Sequence, residues 1–143
     1  MPDDLGLPPL VLPRDQDGLL RLGPWVDGIV AALALNDRAS YALRLCLEES
    51  VANIVMHGIP NPGPGREDVR VEVHASVDTL TLVIEDGCAP FDPLRAAAPG
   101  DPTLALSGPV GGQGIALMRH FAAALRYERV GQTNRLHVTL ARS

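Results

Sequence analysis

Glu49, Asn53 and His57 follow one another at intervals of four residues in a segment with helical periodicity. Because four residues slightly exceed one helical turn, their side chains form one polar stripe along the helix. A carboxylate and an amide one turn apart can serve a metal-bound phosphate, since the amide oxygen suits Mg²⁺ and the carboxylate can accept a proton. The same spacing is also typical of a solvated helix face, with His57 favourable near the C-terminal dipole.

Asp86 is a second candidate, within the run IEDGCAPFDP at residues 84–93. A strand pattern ends here in an acidic turn, and a carboxylate at the end of a strand can face a pocket at the rim of a sheet. The pair Asp86-Gly87 is equally typical of an ordinary turn. The sequence therefore indicates a ligand-binding carboxylate or a plain turn at this position.

Glycines are concentrated in the run GPVGGQG at residues 108–114, which leads into a predicted helix. Glycine lets backbone N–H groups approach a phosphate, and the N-terminus of a helix adds a favourable dipole. A flexible linker into a capped helix is the alternative interpretation. The other histidines, His74, His120 and His137, have no partner at metal-ligand spacing and are interpreted as structural or surface residues.

Two helices are predicted in the first half of the chain. The one that carries the polar stripe is capped by Asn36 or Asp37 and ends at Gly58. An earlier helical pattern begins at Leu19 and contains Pro24. Since proline is favourable only in the first turn of a helix, this helix is expected either to start at Pro24 or to kink there.

Alternation of apolar and polar residues predicts two antiparallel hairpins. The first hairpin joins strands near residues 69–75 and 80–84, with apolar residues on one inner face. The second joins residues 125–130 to residues 136–141 through a turn near Gly131. The chain therefore supplies at least four strands to one sheet.

Residues 88–112 follow the first hairpin and show no regular period. An irregular stretch of this length inside a compact domain is most often a lid, a binding loop or disorder. A third helix follows it, with one apolar face that consists of Ile115, Met118, Phe121 and Ala122. The order of these elements predicts an α/β two-layer sandwich, with a mixed, largely antiparallel sheet and the helices on one face.

The length of 143 residues predicts one domain, at residues 10–143, after a loose arm at residues 1–9 that is rich in proline. A net charge of −5 and 3% aromatic residues disfavour direct binding to nucleic acid. All 12 basic residues are arginine, which excludes a P-loop because that motif needs lysine. Cys46 and Cys88 form no CxxC motif and have no histidine pair nearby, so neither a disulfide framework nor a structural zinc site is indicated. No apolar stretch approaches the ~20 residues of a membrane span, so the protein is expected to be cytoplasmic.

Taken in order, three segments resemble the nucleotide-binding boxes of the GHKL (histidine-kinase-like) ATPase superfamily, in its small anti-sigma-factor serine kinase branch. The run LEESVANIVMHG at residues 47–58 is similar to the helix box of that branch. Residues 85–93 are similar to the first glycine box, and GGQGIALM at residues 111–118 is similar to the second. The resemblance implies the ATP-binding (Bergerat) fold of that superfamily for this chain.

The resemblance also implies an activity and partners. Asn53 would coordinate the Mg²⁺ that bridges the phosphates of ATP, and Glu49 would act as general base toward a serine of a partner protein. Residues 94–111 would form the lid. The implied protein is a serine/threonine-protein kinase that phosphorylates an anti-sigma-factor antagonist, regulates a sigma factor by partner switching, and forms a homodimer.

Further residues acquire implied roles at the nucleotide. Asp86 would accept a hydrogen bond from the adenine amino group, and Phe91 would lie near the base. Gly112 and Gly114 would bring backbone amides to the phosphates. Asn134, in the terminal hairpin, would support the adenine end.

Two positions depart from the pattern of the family. Cys88 stands where the first glycine box has glycine, which would narrow the adenine pocket or shift the turn. Val110 stands where kinase members carry a basic residue near the γ-phosphate, and the nearest candidate is Arg95. Val110 favours an alternative function, a non-catalytic protein-binding module gated by nucleotide. A third interpretation, an α/β domain with a vestigial pocket, rests on Cys88 alone.

Overall fold

The strands form one sheet in which every pair of neighbours is antiparallel. The computed structural model describes residues 8–59, 68–96 and 109–143. Within these residues the strands are β1 (Leu10–Pro13), β2 (Asp68–Ala75), β3 (Thr79–Asp86), β4 (Ala122–Val130) and β5 (Thr133–Ala141), in the order β1-β2-β3-β5-β4. The predicted two-layer α/β sandwich is confirmed, but the sheet is antiparallel throughout these strands rather than mixed.

The helices are α1 (Gln16–Leu33), α2 (Asp37–His57), α3 (Pro93–Ala96) and α4 (Pro109–Phe121) among the residues described. Their apolar faces share one core with the inner face of the sheet, where Val71, Leu82 and Val138 are completely buried. No helix in the described ranges is both long and apolar enough to span a membrane.

The first helix starts earlier than either sequence alternative allowed. Asp15 caps it, because its side chain accepts a hydrogen bond from the backbone of Gly18 at 3.1 Å. The helix then continues through Pro24, which cannot donate to the carbonyl one turn before it. Buried residues on both sides of the proline, such as Leu22 and Val26, hold the helix against the core. Packing therefore outweighs the helix-breaking tendency of the proline.

The stripe-bearing helix α2 has the predicted bounds. Asn36, and not Asp37, is its N-cap, and its side chain accepts from the backbone of Ala39 at 2.9 Å. Gly58 is the C-cap, as predicted, and its N–H donates to the carbonyl of Ile54 at 2.9 Å. The spacing of the apolar residues thus determined the length and the buried face of this helix.

The segment between the hairpins contains more helix than expected. Helix α4 begins at Pro109, so the glycines of the second box lie within its first turns rather than in front of it. Proline is favourable at the first helical position, and packing of α4 on α2 offsets the poor helix propensity of glycine. Ala122, predicted on the helix, opens β4 instead. Residues 97–108 of the predicted lid and residues 1–7 of the predicted arm lie outside the described residues.

Among the described residues, the outer face of the sheet carries paired charges and no second layer of helices. Glu85 is buried there between Arg135, which lies 3.1 Å from its carboxylate, and Arg70, at 3.9 Å. Nε2 of His137 donates to the carboxylate of Glu128, and this hydrogen bond is the main cause that lowers the pKa of that carboxyl. These pairs allow the outer face to remain polar while the inner face packs on the helices.

Candidate functional site

A cleft opens between α2, the C-terminal end of β3 and the β4–β5 hairpin. It encloses about 510 Å³ of empty space, part of it open to solvent. Its lining residues are Ser50, Asn53, Ile54, Gly58, Ile84, Asp86, Cys88, Phe91, Pro93, Ile115, Tyr127, Asn134 and Leu136. The cleft thus combines apolar walls with a small number of polar groups, which is the usual composition of a ligand site.

Asp86 lies at the end of β3 and is buried, with 6% of its surface exposed. Its Oδ1 accepts from the backbone N–H of Cys88 and from Nδ2 of Asn134, both at 2.9 Å. These two hydrogen bonds to one oxygen fix the orientation of the carboxylate. They use two of the about four acceptor sites that a carboxylate offers. Capacity therefore remains for the amino group of a ligand in the cleft.

Cys88 occupies the glycine position of the first box without closing the cleft. A Cβ placed on Gly58 would lie 2.8 Å from Cys88 Sγ, so the thiol fills the space that the glycine at the end of α2 leaves. Burial, followed by the charge of Asp86, raises the pKa of the thiol to about 11, so it is neutral near pH 7. The backbone N–H of Cys88 also donates to Asp86, and Cys88 lines a cleft that is open beside it, which argues against the vestigial-pocket interpretation.

Asn134 is buried directly behind Asp86. Its Nδ2 donates to Asp86, to the carbonyl of Ala89 at 2.9 Å and to the carbonyl of Cys88 at 3.4 Å. Its Oδ1 accepts from Arg129 Nη1 at 3.0 Å, from the hydroxyl of Tyr127, and from the backbone N–H of Phe91 at 3.2 Å. Both the oxygen and the nitrogen of the Asn134 side-chain amide therefore have partners within the protein. If Asn134 supports the adenine end as predicted, it does so by holding Asp86.

The three residues of the polar stripe on α2 lie in different surroundings. Asn53 is half-buried and lines the cleft. Glu49 lies one turn earlier on α2, where it faces α4. His57 is exposed at the end of the helix and does not line the cleft, in agreement with a role at the C-terminal dipole.

Glu49 and Gly114 are in close contact, although they are 65 residues apart in the sequence. A Cβ on Gly114 would lie 2.3 Å from Glu49 Oε2 and 3.1 Å from its Cδ, so a side chain at position 114 would displace the carboxylate. Desolvation, with a smaller contribution from Glu48, raises the pKa of Glu49 above its ordinary value. The structure thus brings the predicted base against the second glycine box.

The remaining predicted residues lie around the mouth of the cleft. Phe91 lines it and is 47% exposed, and Gly112 lies in the first turns of α4. Arg95 is exposed in α3 and is not one of the lining residues. Arg119 of α4 ties α3 in place, because its Nη2 donates to the carbonyl of Leu94 at 2.9 Å.

Tyr127 and Arg129 are parts of the site that the sequence analysis missed. Tyr127 lines the cleft, and Arg129 bonds to Asn134 from the paired position of the hairpin. A two-residue turn at residues 131–132 already implies that Arg129 pairs with Asn134. Because side chains alternate between the two faces of a strand, Tyr127 then lies on the same face as Arg129. The signal was therefore available in the second hairpin once its register was taken into account.

Comparisons with known proteins find one matching family and similar individual proteins. The family described as Histidine kinase-like ATPase domain matches residues 15–140. Serine/threonine-protein kinase BtrW of Bordetella bronchiseptica is 30% identical over 115 residues, which cover 80% of this chain and 80% of BtrW. Histidine kinase AdeS of Acinetobacter baumannii, a solved structure, aligns with a TM-score of 0.47 and 13% identity, over 96% of this chain and 68% of the AdeS chain. The matched family region includes the whole of the cleft lining.

Proposed function

This chain belongs to the histidine kinase-like ATPase domain family, and we propose that it is an ATP-dependent serine/threonine-protein kinase. In this proposal it phosphorylates a serine of an antagonist protein and thereby regulates a sigma factor by partner switching. The observation that carries the proposal is one cleft lined by both Asp86 and Asn53, with Glu49 one helical turn from Asn53.

ATP fits the chemistry of the cleft. Asp86 provides an acceptor for the 6-amino group of adenine. The flat base would lie between apolar walls, which consist of Ile54, Ile84, Ile115 and Leu136. The helix dipole and the free N–H groups of the first turn of α4 attract anions, so phosphates would bind at that end of the helix, and Gly112 and Gly114 lie just after the first turn. Asn53 offers one neutral oxygen to Mg²⁺, whose other ligands would be phosphate oxygens and water.

Glu49 is proposed as the general base toward the serine hydroxyl. The serine oxygen forms a bond to the γ-phosphorus, the bond from that phosphorus to the β–γ bridging oxygen breaks, and ADP leaves. The hydroxyl proton passes to the carboxylate of Glu49, whose raised pKa makes it a better acceptor near neutral pH. Mg²⁺, when bound, neutralises the negative charge that develops on the phosphates.

The identity of the partners rests on the resemblance to the anti-sigma-factor kinase branch. BtrW, a serine/threonine-protein kinase, supports a protein hydroxyl as acceptor. Because sigma factors act in the cytoplasm, we also propose that this protein is cytoplasmic. From the same resemblance we propose that it forms a homodimer.

A non-catalytic module gated by nucleotide is the second candidate. The observation that favours it is Val110 at the position where kinases of the branch carry a basic residue. Without a fixed cation near the γ-phosphate, the transition state of transfer would lose charge stabilisation.

Incubation with γ-labelled ATP, Mg²⁺ and each candidate antagonist encoded near this gene separates the two functions. We expect label on a serine of one antagonist. ATP binding without label on any antagonist would favour the nucleotide-gated module, and the absence of ATP binding would contradict both functions.

Replacing Asn53 with alanine should weaken ATP binding in Mg²⁺ and slow phosphate transfer together, because the variant lacks the one protein ligand that the proposal gives the metal. For the wild type, we expect affinity for ATP to fall when EDTA removes the metal. For the variant, affinity should be nearly the same with and without Mg²⁺. Calorimetric titration under both conditions measures these differences, and a wild-type protein indifferent to EDTA would remove Asn53 from its role.

Replacing Gly114 with alanine should separate stability from activity. Alanine favours helix over glycine by about 0.5–1 kcal/mol, so the variant should melt no lower than the wild type. Its Cβ would nevertheless displace the Glu49 carboxylate, and we expect transfer to slow by roughly 10- to 100-fold. Gly28→Ala in α1 is the matched control, since nothing lies within 4 Å of its Cβ. Equal transfer rates in the two variants would contradict a role for the contact between residues 49 and 114.

A further inference from the structure

We infer that Arg129 is a positioning residue that gives the site its selectivity for a 6-amino group. It acts through Asn134, whose amide holds Asp86 in the orientation that receives this group. The inference rests on the proposed function, since it takes Asp86 as the acceptor for adenine. Arg129 itself is not among the described residues that line the cleft.

Arg129 connects three parts of the chain by hydrogen bonds. Its Nη1 donates to Asn134 Oδ1 at 3.0 Å and to the carbonyl of Cys88 at 2.7 Å. Its Nε donates to the carbonyl of Gly131 at 3.1 Å, in the turn of the β4–β5 hairpin. A guanidinium has only donors, so each of its partners in these contacts must be an acceptor.

The donors around Asn134 settle which way its amide points. Oδ1 accepts from Arg129, from the backbone N–H of Phe91 at 3.2 Å and from the hydroxyl of Tyr127. Neither the guanidinium nor the backbone N–H can act as an acceptor. A flipped amide would therefore place its NH₂ group against these donors and its oxygen against the carboxylate of Asp86. The orientation with Nδ2 toward Asp86 is thus strongly favoured.

This orientation has a consequence for the ligand. With Nδ2 of Asn134 and the N–H of Cys88 both on Oδ1, the plane of the Asp86 carboxylate is fixed. The positive charge of Arg129 also polarises the Asn134 amide, which strengthens the bond that the amide donates. Arg129 should therefore affect binding of the amino group specifically, and leave the apolar walls and the phosphate end unchanged.

The test compares ATP with purine riboside triphosphate, which lacks only the 6-amino group, by calorimetric titration in Mg²⁺. The wild type should prefer ATP. In Arg129→Gln we expect this preference to fall by about tenfold, while affinity for purine riboside triphosphate changes by less than about threefold. Arg126→Gln is the matched control, because Arg126 lies on the same strand, is exposed and pairs with Glu128 at 3.3 Å. It should keep the wild-type preference.

Equal losses of affinity for the two nucleotides in Arg129→Gln, or an unchanged preference, would overturn the inference. A wild type that binds neither nucleotide, or does not distinguish them, would instead contradict the proposed function. If Arg129→Gln does not fold, Tyr127→Phe removes another donor to the same oxygen and keeps the ring. The preference should then fall in the same direction by a smaller factor, and an unchanged preference in that variant would overturn the inference.

Discussion

Replacement of Glu49 with glutamine should slow phosphate transfer to a protein serine by about 10²–10⁴-fold and leave ATP affinity nearly unchanged. Glutamine has almost the same shape as glutamate but cannot accept the hydroxyl proton. Glu49 is outside the set of residues that line the cleft in the described part of the chain, so nucleotide contacts should survive. The measurement pairs calorimetric titration of ATP with the rate of label incorporation.

The pH dependence of transfer provides a second readout for Glu49. Only the carboxylate can act as base, so the rate should fall as pH decreases through a pKa that desolvation raises above the ordinary carboxyl value. Glu48→Gln is the matched control, since Glu48 is exposed beside it. It should retain transfer and move the acidic limb to lower pH, because the charge of Glu48 contributes to the raised pKa. Transfer at the wild-type rate in Glu49→Gln would show that Glu49 is not the base.

Asp86 should make the wild type prefer ATP over GTP by up to about 10⁴-fold. A carboxylate accepts from the 6-amino group of adenine and repels the 6-carbonyl of guanine, and a buried polar group left unpaired discriminates steeply. Competition between the two nucleotides in Mg²⁺ measures the ratio. Comparable affinities for ATP and GTP would contradict the assignment of Asp86.

The substitution Asp86→Asn should reverse the preference at the 6-position. The donors from Cys88 and Asn134 would keep the amide oxygen on their side, so the new NH₂ group would face the ligand. That group repels an amine and can donate to a carbonyl, so the variant should bind ITP more tightly than ATP. Asp92→Asn is the matched control: Asp92 accepts from the backbone of Leu94 at 2.9 Å and is absent from the described cleft lining. A variant that still prefers ATP would contradict the orientation argued for Asp86.

The sequence by itself determined the features that depend on near neighbours in the chain. Helical periodicity put Glu49 and Asn53 on one stripe of α2 and gave the bounds of that helix. Period-2 alternation gave the inner faces of β2 and β3 and the turn between them. These features could be predicted because side-chain direction repeats with a fixed period in each kind of element. The three boxes, in order, also sufficed to indicate the family.

Only the tertiary structure decided how distant residues meet. β3 pairs with β5 rather than with β4, and this register sets Asp86 opposite Asn134 and brings Arg129 behind them. Packing of α4 on α2 brings Gly114 against Glu49. The same packing allows α4 to begin at Pro109, before its glycines. Strand order and helix contacts depend on the sum of many weak interactions across the core. The periodicity within a single element therefore cannot predict them. The same long-range packing carries α1 through Pro24, where local propensity alone favours a start or a kink.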